Sequence, residues 1–388
     1  MNFLNLKLES FGLDISDLSL KFVKLKKRGK FFTLASFGEE KMKSGIIKEG
    51  EIKDEERLAE IIKTAVKKVK GEKIKTKYVI ASLPEEKAFL QVIQMPKLPD
   101  EDLKSAIIYE AENYIPLPIE QVYLDFQVVP PVYDHLDHLD VLLASLPRKT
   151  IDPYLACLKL AGFVPKIFEI ESLAIARALV KNEVTSSPLL LVDLGATRTS
   201  FIIFSGHSLR FTSSIPVSGQ HLTEIIAKNL GISLAVAEGF KIKWGLEEKF
   251  KLKIENGKTE IKKERGKIFE ALIPALVDLV QQIKRHLDYY QTHTSHEHLP
   301  PDGKGVSEIL LCGGGANLKG LPELLTLELK IPVKLGNPWV NILPDSNPPA
   351  TRPPSAGPWK RELGELSFEE SLKYTTAIGL ALRGIKEK

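Results

Sequence analysis

Two carboxylates far apart in the chain, each at the end of an apolar run and each followed by a hydroxyl-rich turn, are the residues best suited to chemistry. Asp193 closes a strand in LLLVDLGATRTSFIIF (189–204), and Gly195, Thr197 and Thr199 form the turn into the next apolar strand. Asp14 closes a strand in FGLDISDLSLKFV (11–23), where Ser16 and Ser19 supply hydroxyls and Lys21 a cation. A carboxylate at a strand end, beside converging backbone N–H and hydroxyl groups, can hold a metal ion and phosphate oxygens together. One such turn joins strands in many proteins without any ligand. Two of one design point to an internal duplication, with two domains facing each other across a cleft and each giving a turn to one nucleotide.

Other segments could complete such a cleft. Ser307–Leu318 runs as a strand into Gly313, Gly314 and Gly315, then Asn317. Glycines there permit positive φ and close backbone approach, and a helix start beyond them favours an anion. A plain strand-to-helix turn with Asn317 as N-cap is the competing explanation. Glu238 and Lys241 stand one helical turn apart, placed to reach a ribose or base, or to form a surface ion pair.

The positioning elements follow from periodicity. Alternation between Gly12 and Phe37 gives two or three strands, helical spacing over Glu55–Lys70 an amphipathic helix, and Tyr78–Leu83 a buried strand. Between Glu86 and Glu171 the order is strand Ala88–Gln94, helix from Asp100, strands Tyr123–Val132 and Val141–Leu146, helix Thr150–Ala161 and strand Pro165–Ile170. That is a split β-α-β-β-α-β unit, an inserted small domain. Glu171–Leu179 and Tyr374–Leu382 are helices rich in small residues, suited to close helix contact at a hinge. His221–Leu230, Ala235–Trp244 and Glu264–Tyr290 are further helices, with a charged connection at Lys249–Arg265. Thr292–Gly305 and the proline-rich Asn337–Gly364 stretch do not look like core.

Composition sets the limits. The chain has 388 residues, 43% of them hydrophobic, and a net charge of +4, which suits a folded protein of two or three domains with no global pull toward nucleic acid. The lysine run from Lys63 to Lys77 reads as a solvated helix face and loop. Cys157 and Cys312 lie in apolar segments without ligand spacing, which fits a reducing cytoplasm. No signal peptide opens the chain and no apolar run is long enough to span a bilayer, so membrane contact is expected through a partner rather than by direct insertion. His293, His296 and His298 lack a convincing second pair of zinc ligands, and His135 and His138 read as polar turn residues.

Together these segments resemble the actin-like ATPase superfamily and, within it, the PilM family of type IV pilus assembly proteins. The superfamily order of first phosphate hairpin, connecting helix, second phosphate hairpin, adenosine turn and second connecting helix matches Gly12–Val23, Glu171–Leu179, Val192–Thr199, Leu310–Asn317 and Tyr374–Leu382. The inserted domain is PilM-like in MPKLP (95–99), AIIYEAENYIPLP (106–118) and YLDF (123–126), with Glu-Ala-Glu-x-Tyr-Ile-Pro its most specific part.

The resemblance implies an α/β, duplicated actin-like fold with a central nucleotide cleft. Its parts would be residues 1–85 and 171–186 of the first domain, an insert at 86–170, a second domain at 187–372 with a nucleotide subdomain around 218–266, and a returning helix at 373–388. It implies ATP and Mg2+ as ligands. Asp14 and Asp193 would hold the magnesium through water, and Ser19, Lys21, Gly195, Thr197 and Thr199 would contact phosphates. Ser16 joins that phosphate turn, standing where the family usually has glycine. Gly313, Gly314, Gly315 and Asn317 would line the adenosine side, Glu238 and Lys241 the ribose or base. Glu171 stands where some relatives orient a water, the candidate for hydrolysis.

As partners the resemblance implies the cytoplasmic N-terminal peptide of a PilN-like inner-membrane protein, other pilus assembly proteins and self-association into a homo-oligomer. The peptide region would involve Tyr109–Tyr114, Ile115–Pro118 and the strand near Ala88–Val92. The activity implied is nucleotide-gated scaffolding, in the pilus or the related type II secretion machinery, with slow or no turnover. Two alternatives share the fold. A cell-division FtsA-like polymer carries a C-terminal amphipathic membrane helix, which the segment GIKEK (384–388) does not supply. A sugar or acetate kinase needs a further catalytic carboxylate for its acceptor, and no extra Asp motif stands out.

Overall fold

The computed structural model describes residues 8–29, 31–132, 137–246, 259–294, 298–299, 305–342 and 366–386. The chain begins with the meander β1 (Phe11–Ser16), β2 (Ser19–Arg28) and β3 (Phe31–Lys41), then the small hairpin β4 (Ile47–Lys48) and β5 (Glu51–Ile52). Helix α1 (Glu55–Ala65) starts where the Asp54 carboxylate accepts the Arg57 N–H at 2.9 Å, and it buries Leu58, Ala59, Ile62 and Ala65. A short edge strand β6 (Lys70–Gly71) and the buried strand β7 (Tyr78–Leu83), apolar but for Ser82 and the Tyr78 hydroxyl, follow. β7 lies parallel to β1, and a strand covered on both faces is largely apolar, its one buried hydroxyl, Ser82, being hydrogen-bonded.

The insert comprises β8 (Phe89–Pro96), α2 (Asp100–Ala111), β9 (Val122–Val129) and β10 (His138–Pro147), with sheet order β8-β10-β9. Its own small core gathers Ile93, Met95, Ile107, Ala111, Val141 and Leu143. The expected β-α-β-β-α-β unit ends here as β-α-β-β. Helix α3 (Arg148–Leu160) and strand β11 (Val164–Ile170) belong to the first sheet instead, because β11 pairs in parallel with β7 and Ile151, Tyr154 and Leu158 pack into the core with Leu13 and Leu58. The α-β end of the expected insert, up to residue 170, is therefore first-domain structure.

After α4 (Glu171–Leu179) the plan repeats. A meander of β12 (Thr185–Leu194), β13 (Thr199–Gly206) and β14 (Ser208–Ile215) leads to helices α5 (Gly219–Leu230), α6 (Leu234–Trp244) and α7 (Thr259–His293). Strand β15 (Glu308–Cys312), helix α8 (Leu321–Leu329) and strand β16 (Val333–Leu335) complete the second sheet, and α9 (Thr375–Lys386) returns to the first domain. The first sheet runs β11-β7-β1-β2-β3-β6 and the second β14-β13-β12-β15-β16. In both, a three-stranded antiparallel meander is extended beyond its first strand by two parallel strands, which is the duplication at the level of topology. β14, the third meander strand of the second half, is absent from the periodicity reading, as are the short strands β4, β5, β6 and β16.

The second core packs Leu190, Val192, Phe201 and Ile203 against Ile268, Leu272, Leu279 and Ile283 of α7. Each such side chain contributes about 1.5–3 kcal/mol when fully buried. Small residues set the approach of α4 and α9: a Cβ on Gly379 would lie 1.9 Å from the Ala174 carbonyl oxygen, and one on Gly12 would lie 2.4 Å from the Ala377 carbonyl oxygen. The insert leans on the second domain through a buried ion pair, Arg210 Nη1 to Asp140 Oδ2 at 2.5 Å. The charged connection at 247–258, His135, His296 and the prolines between 343 and 365 lie outside the described residues.

Candidate functional site

The two Asp-bearing hairpins meet at one cavity of about 1150 Å³ between the halves. Register explains the charge layout on the first side. Asp14 faces Lys21 across β1 and β2, and Lys21 faces Glu39 across β2 and β3. Lys21 Nζ lies 3.1 Å from Asp14 Oδ2, and Lys373, just before α9, places its Nζ 2.6 Å from Glu39 Oε2. Charges alternate along this row, so each is neutralised by a neighbour. Burial alone would lower the Lys21 ammonium, but Asp14, Glu39 and Asp193 outweigh it and hold the group above its ordinary value. Ser82 anchors the turn by accepting the Ile15 N–H at 2.8 Å and donating to Asp14 Oδ1 at 3.4 Å. Ser16 donates to the Ser19 carbonyl at 3.0 Å, which closes the hairpin in place of a glycine.

On the second side, Gly195 N–H donates to the Arg198 carbonyl at 2.9 Å and its own carbonyl accepts the Gly219 N–H at 2.9 Å. The hairpin is thereby fixed to the start of α5, whose N-cap Ser218 accepts from the His221 N–H at 3.2 Å. Burial and Asp14 push the Asp193 carboxyl up to about 6, with Lys21 and the Cys312 thiol opposing. Cys312 Sγ donates to Asp193 Oδ1 at 3.7 Å. Gly313 has φ of 79°, and a Cβ there would lie 2.3 Å from Asp193 Oδ1, so both conformation and space demand glycine.

Glu171, first residue of α4, also faces the cavity. Burial, followed by Asp14, Glu86, Asp193 and Glu85, holds its carboxyl well above the ordinary range. That field disfavours the charged form of Glu171. Glu238 and Lys241 of α6 line the far wall, with Lys241 Nζ 2.7 Å from Glu238 Oε2 and 2.6 Å from the Gly219 carbonyl. The pair thus ties α6 to the start of α5 as well as bordering the cavity.

The sequence model of the family described as type IV pilus assembly protein PilM matches residues 12–385. The chain belongs to the PilM family. Among solved structures, a PilM-PilN type IV pilus biogenesis complex matches 98% of this chain and 99% of that chain, with a TM-score of 0.75 and 26% identity. Ethanolamine utilization protein EutJ from Carboxydothermus hydrogenoformans shares the fold at a TM-score of 0.51 and 14% identity, over 96% of this chain and 88% of its own. Cell division protein FtsA of Streptococcus pneumoniae is 23% identical over 351 residues, 84% of this chain and 74% of that protein. FtsA of Pseudomonas aeruginosa is 26% identical over 191 residues, 47% of this chain and 44% of that protein, so the match spans less than half of that relative. The duplicated two-sheet plan is the actin-like fold that PilM shares with these neighbours.

Within this PilM chain, Asp14, Ser16, Ser19, Lys21, Glu171, Asp193, Gly195 and Thr197 come together at the cavity. Glu238, Lys241, Gly313, Gly314, Gly315 and Asn317 complete its wall. Thr199 does not join them. It is fully buried and its hydroxyl donates to the Val217 carbonyl at 2.7 Å, so it braces β13 rather than offering a ligand contact. Asn317 is not a helix cap either: α8 is capped at Gly320, and Asn317 Nδ2 donates to the Glu369 carbonyl at 2.9 Å. The histidines of this PilM chain hold no metal cluster among the described residues. His298 lies 2.9 Å from Ser205 Oγ, and His293 stacks on Tyr289.

Residues missed in the sequence also border the PilM cleft: Arg198, Glu86, Glu39, Lys373 and the Gly219-Gln220 start of α5. Ser218 preceding an apolar-periodic segment was the one signal that could have found the last of these. Arg198 Nη2 lies 2.8 Å from Glu86 Oε1, joining hairpin and opposite domain.

Proposed function

We infer that this PilM-family chain is an ATP-binding scaffold of type IV pilus assembly, or of related secretion machinery, that holds the cytoplasmic N-terminal peptide of a PilN-like inner-membrane protein. The observation that carries this is the end-to-end similarity to a PilM-PilN complex, 98% of this chain at a TM-score of 0.75. The partner would bring the chain to the inner membrane from the cytoplasm. No helix among the described residues is long and apolar enough to cross a membrane.

The donor set suits Mg2+ with ATP. Asp14 and Asp193 offer two carboxylates without a closed protein cage among the described residues, and Mg2+ commonly completes its shell with water and phosphate oxygens. When bound, the cation supplies charge that offsets the repulsion between these carboxylates and clamps the phosphates. Ser16, Ser19, Lys21, Gly195 and Thr197 would surround the phosphates, Gly313–Gly315 and Asn317 the adenosine, and Glu238 with Lys241 the ribose or base. Glu171, at the start of α4 and facing the cavity, would be the residue that orients a water in any slow hydrolysis.

The peptide would lie along the insert. Helix α2 ends at Ala111, and Tyr109, 74% exposed, and Tyr114 project from its solvent face and the following turn while Ile107 and Ala111 fill the insert core. Exposed aromatics beside the Ile115–Pro118 turn suit an extended apolar peptide. Calorimetric titration of a synthetic PilN N-terminal peptide, with and without Mg2+ and ATP, tests this. Micromolar or tighter binding that responds to nucleotide supports the assignment, and the absence of binding at high peptide concentration removes it.

A further inference from the structure

The lysine run that reads as a solvated face has a more particular arrangement. Segment 72–77 runs from the edge of β3 to the start of β1: the Glu72 N–H donates to the Ala35 carbonyl at 2.9 Å, and Thr76 Oγ1 donates to the Glu9 carbonyl at 2.6 Å. Along it, exposed Lys73, Lys75 and Lys77 alternate with half-buried Ile74 and Thr76. Ile74 packs against the first-domain core while Lys73 and Lys75 on either side of it are exposed, and the Lys77 ammonium lies 5.6 Å from the centre of the Tyr78 ring. Lys26 bonds Glu72 and thereby ties this segment to the β2–β3 hairpin, whose tip exposes Lys27, Arg28 and Phe31, the last at 46%.

The acids nearby are already engaged, Glu72 by Lys26 and Glu9 by Lys24. Lys27, Arg28, Lys73 and Lys75 form no ion pair among the described residues. This local excess of cations stands out in a chain whose net charge is only +4.

We propose that this face, made of Arg28, Phe31, Lys73, Lys75 and Lys77, docks peripherally on an anionic phospholipid bilayer. Charge complementarity selects an anionic surface, since clustered Lys and Arg near anionic headgroups each strengthen binding about fivefold. Phe31 selects lipid over nucleic acid: an aromatic ring at the tip of a cationic hairpin seats at the headgroup boundary, whereas no aromatic series is interleaved through the patch for base stacking. The surface is distinct from the nucleotide cavity and from the α2 face of the insert. It supplies a weak second attachment that reinforces capture by a membrane-anchored partner, because linked weak contacts multiply. In that last respect it rests on the PilN reading.

The test is co-sedimentation of the full chain with vesicles of 30% phosphatidylglycerol in phosphatidylcholine, beside pure phosphatidylcholine vesicles and a duplex DNA oligonucleotide. Expected is partition onto the anionic vesicles at low salt, release at high salt, and no partition onto neutral ones. The K73E/K75E/K77E variant should lose at least tenfold in partition, and F31S should lose a smaller factor, while both keep the melting temperature and peptide affinity of the parent. Failure to bind anionic vesicles, equal partition of the triple variant, or equal affinity for the duplex would overturn the proposal. Peptide binding, measured in parallel without lipid, stands or falls separately and reports on the PilN assignment alone.

Discussion

Arg198 Nη2 lies 2.8 Å from Glu86 Oε1, so the second hairpin is held to the first domain across the mouth of the cleft. Burial raises the Glu86 carboxyl while Arg198 opposes the shift, which makes this pair responsive to any anion competing for the guanidinium. Phosphate oxygens are such competitors. Arg198→Ala should weaken ATP binding about tenfold or more, the scale of a charged hydrogen bond. Glu86→Gln should leave affinity unchanged or raise it, because Arg198 is released. Calorimetry on both variants checks the pair, and equal losses would show a purely structural role.

Asp193 and Thr199 sit in one hairpin and part company in consequence. Asp193→Ala should abolish magnesium-dependent ATP binding, and unchanged affinity would remove the site assignment. Thr199→Val should keep nucleotide affinity but lower stability by about 1–3 kcal/mol, because the Val217 carbonyl loses its buried donor. Chemical denaturation next to nucleotide titration separates the two effects.

Gly313→Ala places a methyl group where Asp193 Oδ1 already stands, at a backbone angle that L residues rarely adopt. A loss of about 1–3 kcal/mol in stability is expected from strain alone. Displacement of Asp193 should abolish magnesium-dependent binding as well. Gly314, with nothing nearer than Lys373 Cβ at 3.9 Å from its added Cβ, should tolerate alanine in the same assays.

Cys157 gives the molecule an alkaline limit. Burial, followed by Glu55, pushes its thiol up to about 12 from an ordinary 9.0. A raised folded-state value means that the stabilising protonated form is fully present below about 9 and is lost as pH rises from about 9 toward 12. Denaturation midpoints should fall across that window, and Cys157→Ala should flatten this part of the slope. A native thiol titrating with reagent at pH 8 as fast as an unfolded one would contradict this.

How much of this was legible in the chain depended on range. The hairpins were, because each compresses strand, carboxylate and turn into one short segment, and the small residues around Gly379 announced a close helix crossing for the same local reason. β11 was assigned to the wrong domain because its alternation says it is a strand but not which strand it pairs with; β7 decides that from far away in the chain. Thr199 resembled Thr197 by composition, yet its hydroxyl has a buried backbone partner supplied by Val217. Arg198 and Glu86 were invisible as a pair because only the facing of two domains brings them together.

The contact between Gly12 and Ala377 also fixes an order of manufacture. Among the described elements β1 leaves the ribosome first and α9 last, yet α9 covers β1. The second sheet, whose strands are made within one later stretch, can close while β1 still waits with its apolar face uncovered. The half begun first is finished last, because the face of β1 at Gly12 stays uncovered until α9 arrives.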